Sequence, residues 1–250
     1  MCSARHDVLV TEHFEPEAVE PDHYDAGYYE GNGQAGDRPA LGWYVRMVRR
    51  YLGAGPYLDF GCGTGHLVRR LAAHGETAGF EISPYSATTA RDNAPGCTVY
   101  TSLDDIPSNA FRAITSIHVL EHLDDETART VLACWRRALA PGGRGLVVMP
   151  DPAGRAQALA GERWAGYTDP THINLKSHTA WRSFLVDEGF TIIREGSDGL
   201  WNVPYGRLPK LLDAAFRSVP SLAQLVTGRL FLRPGHGESS VFVIQRSGAD

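Results

Sequence analysis

The sequence predicts a doubly wound α/β fold, built on a mostly parallel seven-stranded sheet with a helical insertion before the last strand. Two observations predict this fold. Over residues 55–150, short apolar runs alternate with amphipathic segments of helical period, and parallel strands need such helices as crossover connections. Polar and glycine-rich motifs also follow directly after the apolar runs, at the edge where sheets of this kind bind their ligands.

The seven strands are recognised as short apolar or alternating runs. In chain order they are PYLDF, ETAGFEI, CTVY, FRAITSIHV, RGLVVMP, FTIIRE and SSVFVIQR. Between the first strands, GHLVRRLAAHG carries its apolar residues on one helical face, and SPYSATTARDNA opens with the Ser-Pro pair that favours a helix start. Asp124 is a predicted N-cap for the helix DETARTVLACWRRAL, Pro141 and Gly142 are its predicted stop, and Ser177 is a predicted N-cap for HTAWRSFLVDEG.

The domain organisation follows from where this alternation begins and ends. We expect one domain over residues 26–250, preceded by an acidic, mobile arm over residues 1–25. Two long segments interrupt the pattern, an irregular one over residues 151–176 and a second over residues 200–235 that reads as two short amphipathic helices. Long segments inside a compact domain are usually lids or docking surfaces, and a packing extension is the alternative.

Composition excludes several classes of protein. The 250 residues carry a formal net charge of −5, so the basic surplus of a typical nucleic-acid binder is absent. The four cysteines are scattered, without zinc-site spacing, which is typical of reduced thiols in the cytoplasm. No apolar run approaches the roughly 20 residues that span a bilayer, and the N-terminus shows no signal peptide. These observations predict a cytoplasmic protein without stable membrane insertion.

The stretch YLDFGCGTG is a glycine-rich loop after the first strand. A phosphate-binding loop would need a following lysine, and a dinucleotide-binding loop would need a glycine at the position of His66. The glycines are instead Gly61, Gly63 and Gly65, and Asp59 lies where a pyrophosphate would be repelled. A ligand with a cationic group and no phosphate fits better, and S-adenosylmethionine is such a ligand. An ordinary tight turn is the alternative interpretation.

A second acidic residue supports this choice of ligand. Glu81 ends the second strand, twenty positions beyond Gly61. A carboxylate at that place can accept hydrogen bonds from both hydroxyls of a ribose. The alternative is a solvated charge at the end of a strand.

Four motifs together resemble a known family. YLDFGCGTG, GFEIS, SIHVLEHL and LAPGGRGLVVMP are similar to successive motifs of class I S-adenosylmethionine-dependent methyltransferases. The later run DPTHINLKSHTAWRSFLVDEGF is similar to a pattern of the bacterial small-molecule members, and the ubiquinone-biosynthesis O-methyltransferases resemble the chain most. The resemblance covers roughly residues 25–200 and the final strand. It implies the Rossmann-like methyltransferase fold with S-adenosylmethionine as cofactor.

The resemblance also implies a set of cofactor-binding residues. These candidates are Asp59, Gly61, Cys62, Gly63, Gly65, Glu81, Ile82, Leu103, Ile117 and Tyr29. By this resemblance the glycine loop and Asp59 surround the methionine part, Glu81 holds the ribose, and Ile82 packs on the adenine. The acid that often binds the adenine amino group is replaced by Ser102, so adenine recognition would rely on backbone groups. Cys62 reads as a small buried residue rather than a reactive thiol.

Three histidines are candidates for the base that a hydroxyl acceptor needs. His118 and His122 flank the sequence VLE after the fourth strand, and His172 lies in the irregular segment. His122 could instead make a structural hydrogen bond, and His172 could order its loop through Asp169. Trp164, Tyr167 and Trp201 could form an aromatic wall for a flat acceptor or belong to the core.

We expect catalysis without a metal. His118, Glu121 and His122 form an H-x-x-E-H pattern, which resembles one class of zinc peptidase. It also resembles the metal-binding acid-x-x-Glu-His motif of ubiquinone-pathway O-methyltransferases, with His118 in place of the first acid. Magnesium prefers oxygen ligands, so this replacement disfavours it. A zinc or iron site with His172 as a further ligand is the alternative.

The predicted function is methyl transfer from S-adenosylmethionine to a small-molecule acceptor, at a hydroxyl oxygen, by in-line displacement with a histidine base. The alternatives are a lipid-linked or glycan acceptor at a membrane surface and a protein or RNA acceptor. A non-catalytic cofactor-binding protein and a nicotinamide-dependent reductase are further alternatives.

Overall fold

The computed structural model describes residues 20–31, 36–200 and 210–248, and gives residues 210–218 by their backbone alone. Within these ranges the chain forms one seven-stranded sheet in the order β3-β2-β1-β4-β5-β7-β6. The strands are β1 (Tyr57–Phe60), β2 (Thr77–Phe80), β3 (Thr98–Tyr100), β4 (Phe111–Ile117), β5 (Leu139–Pro150), β6 (Phe190–Ser197) and β7 (Ser239–Arg246). The predicted fold class and strand number are therefore confirmed.

The sheet is mostly parallel. β1 pairs in parallel with β2 and with β4, and the β2–β3 and β4–β5 pairs are parallel as well. The last strand, β7, lies between β5 and β6 and is antiparallel to both. The order of the strands reverses between β1 and β4: β2 and β3 follow on one side of β1, and β4 and β5 on the other. At such a reversal a crevice opens outside the carboxyl ends of the strands.

Helices cover both faces of the sheet. They are α1 (Ala26–Gly31), α2 (Pro39–Met47, continued as a π-helix over Val48–Leu52), α3 (His66–Ala72), α4 (Pro84–Asn93), α5 (Asp125–Ala138), α6 (Arg155–Ala160), α7 (Ala165–Thr168), α8 (His178–Asp187) and α9 (Lys210–Thr227). Alternate strand residues enter opposite cores, so Phe242 packs with Trp135 of α5 on one face and Val243 packs with Met47 of α2 on the other. The turns after β1, β2 and β4 are therefore held on a rigid support.

The predicted helix starts are confirmed by their caps. The side chains of Ser83, Asp124 and Ser177 each accept a hydrogen bond from a backbone N–H in the first turn of α4, α5 and α8. The predicted stop of α5 is displaced. The helix already ends at Ala138 and β5 begins at Leu139, which pairs with Phe111 of β4, so strand pairing replaces the last predicted helical turn.

The two long segments differ from their predictions in detail. Residues 151–176 contain α6, a 3₁₀ turn over Gly161–Arg163 and α7. In place of two short helices, residues 210–227 form the single helix α9, which tolerates Pro220 in its interior. A proline removes only one backbone hydrogen bond of a helix, and Arg46 of α2 donates to the carbonyl of Leu225 near the far end of α9.

The acidic arm lies largely outside the described residues, which begin at residue 20. The part that is described is attached to the start of α4, because the hydroxyls of Ser83 and Ser86 both donate to the carbonyl of Tyr24. Among the described helices, none combines the length and the apolar character that crossing a bilayer requires.

Candidate active site

A cavity of about 290 Å³ lies at the carboxyl ends of β1, β2 and β4. It brings together most of the residues that the sequence predicted to form the site. These are Tyr29, Asp59, Gly61, Cys62, Gly63, Glu81, Ile82, Leu103, Ile117, His118 and His122. Gly65 and His172, which the sequence also predicted, do not line it.

The glycine loop approaches its neighbours more closely than any side chain would allow. Gly61 has a φ of 71°, and a Cβ atom there would lie 2.4 Å from Cγ2 of Val119. Gly63 has a φ of 51°, and its Cβ atom would lie 3.2 Å from the hydroxyl oxygen of Tyr29. The bare backbone is therefore available at the wall of the cavity, as a ligand held by main-chain groups requires.

Gly65 has a structural role instead. It has a φ of 80° and directly precedes α3, and a Cβ atom there would lie 2.7 Å from Cα of Ala90. The third glycine of the loop is thus required by the packing of α3 against α4 rather than by contact with the cavity.

Glu81 is fixed in the geometry that a ribose site needs. One carboxylate oxygen accepts from the backbone N–H of Gly63 at 2.8 Å and the other from that of Ser83 at 2.9 Å. Each oxygen keeps a further lone pair, so the carboxylate can accept two hydroxyls from the cavity. Burial raises the pKa of Glu81, and the two backbone donors oppose that shift. This buried, oriented carboxylate fits the ribose of S-adenosylmethionine.

Asp59 is buried at the floor of the cavity. Its carboxylate accepts from the hydroxyl of Thr115 on the neighbouring strand β4 at 2.6 Å. Burial raises the pKa of Asp59 to about 7, with the Thr115 hydrogen bond lowering it and the charge of Glu81 adding to the rise. A cationic ligand beside Asp59 would favour the ionised carboxylate, which fits the ammonium and sulfonium groups of S-adenosylmethionine.

We expect the substitution Asp59→Asn to stabilise the ligand-free protein at alkaline pH. The folded pKa of about 7 lies above the value of 3.8 for an unfolded chain, so the wild type loses stability as the pH rises through this window. Asparagine keeps the acceptor for Thr115 and carries no charge. The free energy of unfolding of Asp59→Asn minus that of the wild type should be larger at about pH 8 than at about pH 5, by at most a few kcal/mol.

Urea denaturation of both proteins at the two pH values measures this gain. The matched control is Asp92→Asn, which makes the same charge change at an exposed position on α4. An equal gain at both pH values, or none, would contradict a buried Asp59 with a raised pKa.

Three tyrosines of the N-terminal segment form the aromatic wall of the cavity. Tyr24, Tyr28 and Tyr29 all line it, and the Tyr28 hydroxyl donates to Asp169 at 3.2 Å. For Trp164, Tyr167 and Trp201 the sequence left a wall and a core position open, and the structure places neither Trp164 nor Tyr167 at the cavity. Trp164 is buried in a small separate cluster, Tyr167 is 48% exposed and outside the cavity, and Trp201 lies outside the described residues.

His118 and Glu121 form a dyad at the edge of the cavity. Nδ1 of His118 lies 3.0 Å from Oε1 of Glu121, and the imidazole is 39% exposed while the carboxylate is completely buried. A carboxylate only accepts hydrogen bonds, so Nδ1 carries the proton and Nε2 keeps its lone pair. His118 has a φ of 57°, a left-handed conformation that is strained for histidine and held by its N–H donating to Val148.

Each member of the dyad shifts the pKa of the other. Burial lowers the pKa of His118, but the hydrogen bond and the charge of Glu121 outweigh it and leave the pKa above its usual value. Burial raises the pKa of Glu121, but the hydrogen bond and charge of His118, with the charges of His122 and His172, hold the pKa below its usual value.

The other two histidines are held by the loop that follows α7. Nδ1 of His122 lies 2.8 Å from the Thr171 hydroxyl and 3.2 Å from the Thr171 carbonyl oxygen. Nδ1 of His172 lies 2.8 Å from the carbonyl oxygen of Gly166, and the two imidazole centroids are 4.8 Å apart. Burial lowers the pKa of His122. The structure therefore places His122 at the cavity and His172 directly behind it.

Several site residues were missed by reasoning from the sequence. Thr115 holds Asp59, Val119 packs on Gly61, Thr171 holds His122, and Arg38 lines the cavity as an exposed cation. Thr115 lies within β4, and Val119 and Thr171 lie within stretches already matched to the family, but no local pattern marks them as the contacts of Asp59, Gly61 and His122.

Comparisons with known proteins give one family match over the same part of the chain. A family model described as a methyltransferase domain matches residues 38–195, more than half of the chain. A search of curated proteins found no match.

Solved structures of similar fold cover most of the chain. A SAM-dependent methyltransferase from Archaeoglobus fulgidus is 16% identical with a TM-score of 0.62, covering 89% of this chain and 100% of its own. A possible histamine N-methyltransferase from Thermotoga maritima is 16% identical with a TM-score of 0.57, covering 83% of this chain and 91% of its own. The mitomycin 7-O-methyltransferase MmcR is 19% identical with a TM-score of 0.57, covering 90% of this chain and 59% of its own. At such identities the likeness concerns the fold.

Proposed function

The chain belongs to this family of methyltransferase domains and is an S-adenosylmethionine-dependent methyltransferase, and from that premise we propose that its acceptor is the hydroxyl oxygen of a small molecule. S-adenosylmethionine supplies a methyl group that is already activated by its bond to a sulfonium. The residues that would hold it are Glu81 at the ribose, Asp59 and the glycine loop at the methionine part, and Ile82 at the adenine.

The His118–Glu121 dyad is the observation that carries the choice of a hydroxyl acceptor. A hydroxyl must lose its proton as it is methylated, whereas a neutral amine already offers a lone pair. Glu121 fixes the imidazole so that Nε2 can accept that proton, and the strained backbone of His118 sets the ring at the edge of the cavity. In this proposal the protein aligns acceptor and donor, excludes water and receives one proton.

The form of the cavity supports a small acceptor. Its lining includes Tyr24, Tyr28 and Tyr29, which suit a flat or apolar molecule better than a folded macromolecule. The net charge of −5 gives no support to a nucleic-acid acceptor. One similar structure is named an O-methyltransferase and another a possible N-methyltransferase, so the preference for oxygen rests on the dyad. The described cysteines are free thiols, in keeping with the cytoplasmic location expected from the sequence.

A panel of small acceptors tests this proposal. Phenols, aliphatic alcohols, amines and thiols of similar size are incubated with the protein and S-adenosylmethionine, and products are identified by mass spectrometry. We expect methyl ethers as the main products, because the least acidic acceptors, the hydroxyl compounds, gain most from a positioned base that takes up their proton. The control is the same panel without S-adenosylmethionine. Exclusive formation of methylamines, or transfer to protein or RNA alone, would contradict the proposal.

A further inference from the structure

We propose that Glu121, His122 and His172 form a binding site for one divalent transition-metal ion of the zinc or ferrous class. One possible ligand atom of each residue lies within 4.8 Å of those of the other two. This inference departs from the metal-free expectation drawn from the sequence. It shares Glu121 and His122 with the H-x-x-E-H pattern and takes His172 in place of His118. It concerns binding of the ion and leaves His118 as the proposed base.

The first argument is an unsatisfied carboxylate. Glu121 is completely buried, and its Oε1 is held by His118. Within the described part of the chain, the second oxygen, Oε2, has no hydrogen-bond partner. A buried anionic oxygen without a partner is strongly destabilising, and coordination to a cation would satisfy it.

The second argument is the tautomer of His122. The hydroxyl of Thr171 lies 2.5 Å from Oδ1 of Asp169, and this carboxylate can only accept, so the single Thr171 proton points to Asp169. The Thr171 oxygen and its own carbonyl must then accept from Nδ1 of His122. Nε2 of His122 is left with its lone pair, which is the form of histidine that binds metals.

The same reasoning fixes His172. Its Nδ1 faces the carbonyl oxygen of Gly166, which can only accept, so Nδ1 carries the proton and Nε2 keeps the lone pair. Histidine ligands commonly donate their other ring N–H to a carbonyl or carboxylate in this way. His122 and His172 therefore both use Nδ1 in a hydrogen bond to a neighbouring oxygen, as metal-binding histidines do. Beside them lies Oε2 of Glu121, the carboxylate oxygen that lacks a partner.

The backbone ties the three residues together. The 3₁₀ turn over Leu120–His122 carries two of them, and the loop with His172 is joined to that turn by the N–H of Asn174, which donates to the carbonyl of Glu121. Two ligand atoms of a tetrahedral zinc ion, each about 2.1 Å from the ion, lie about 3.4 Å apart. Ligand atoms that lie up to 4.8 Å apart must therefore approach each other by as much as about 1.4 Å when the ion binds. That shift is within the reach of a histidine side chain.

The ligand types select the class of ion. Two imidazoles and one carboxylate suit zinc, iron and their neighbours, whereas magnesium and calcium prefer oxygen ligands throughout. Three protein ligands also leave positions open for water or for an acceptor oxygen. Asp169 adds negative charge, because its Oδ2 lies 3.9 Å from Nε2 of His172.

Metal titration of the full, untagged chain tests the site. The protein is stripped with a chelator, the chelator is removed, and zinc is titrated by calorimetry while cobalt serves as an absorbance probe. We expect one ion per chain and cobalt bands typical of nitrogen and oxygen ligands. His172→Ala should weaken metal binding at least about 100-fold. Loss of a residue that only hydrogen-bonds to a metal ligand usually weakens binding less. The exposed His74→Ala should leave the affinity unchanged.

Two further variants decide between the possible ligand sets. Glu121→Gln keeps the shape of the side chain and should weaken binding as His172→Ala does, with circular dichroism confirming the fold. His118→Gln keeps a donor for Glu121 and should retain one ion per chain with at most about tenfold weaker binding. No binding to the wild type, or loss of binding in His118→Gln with retention in His172→Ala, would overturn the proposed site. Either result would leave the methyl-transfer proposal to its own test.

Discussion

Replacement of His118 by alanine is expected to lower kcat for methyl transfer by about 100- to 10,000-fold, the usual contribution of a positioned general base. Affinity for S-adenosylhomocysteine should change little. In the proposed site His118 faces the acceptor, whereas Glu81, at the other end, holds the ribose of the cofactor. The measurement is turnover of the best acceptor in the panel, with calorimetry of S-adenosylhomocysteine binding on the same preparation.

Two controls separate a base from a structural residue. Free imidazole added to the His118→Ala protein should restore part of the lost turnover, which a merely structural histidine would not allow. His74→Ala, an exposed histidine, should keep wild-type turnover. Turnover of His118→Ala close to the wild-type rate would remove His118 from the chemistry.

Substitution of Glu81 by alanine is expected to weaken binding of S-adenosylhomocysteine by about 10- to 100-fold. A hydrogen bond to a charged group contributes about 1.5–3 kcal/mol, and about 1.4 kcal/mol corresponds to a factor of ten in affinity. The carboxylate also holds the N–H groups of Gly63 and Ser83, so part of the loss comes from a looser loop. Titration calorimetry measures the affinity directly and needs no acceptor.

The matched control is Glu76→Ala, which removes an exposed carboxylate beside the opposite end of β2. Its affinity should equal that of the wild type. Glu81→Gln should give an intermediate value, because the amide keeps one acceptor oxygen. Unchanged affinity in Glu81→Ala with an intact fold would show that the ribose assignment is wrong.

The parts of this structure that the sequence predicted depend on local signals. Ser83, Asp124 and Ser177 begin helices because their short polar side chains reach the free N–H groups of the next turn, and that geometry needs no tertiary contact. The seven strands follow from short apolar runs between turn residues. Asp59 and Glu81 meet at one cavity because the carboxyl ends of parallel strands lie along one edge of the sheet.

What the sequence could not predict depends on packing between distant segments. Gly65 belongs to the same motif as Gly61 and Gly63, yet its neighbour is Ala90 of α4, which no pattern within the loop reveals. The pairing of Leu139 with Phe111 likewise shortens α5 through a contact between distant residues. The protonated nitrogen of His172 is set by the carbonyl of Gly166, a contact that only the folded loop creates.

The attachment of the N-terminal segment has a consequence for the order of events in turnover. Residues 20–31 carry three tyrosines of the cavity wall. They are joined to the start of α4 by the Tyr24 carbonyl and to the loop after α7 by the Tyr28 hydroxyl. These hydrogen bonds must break before the segment can move away from the cavity. If exchange of cofactor and product requires that movement, a short segment that takes no part in bond making contributes to the rate and the order of the cycle.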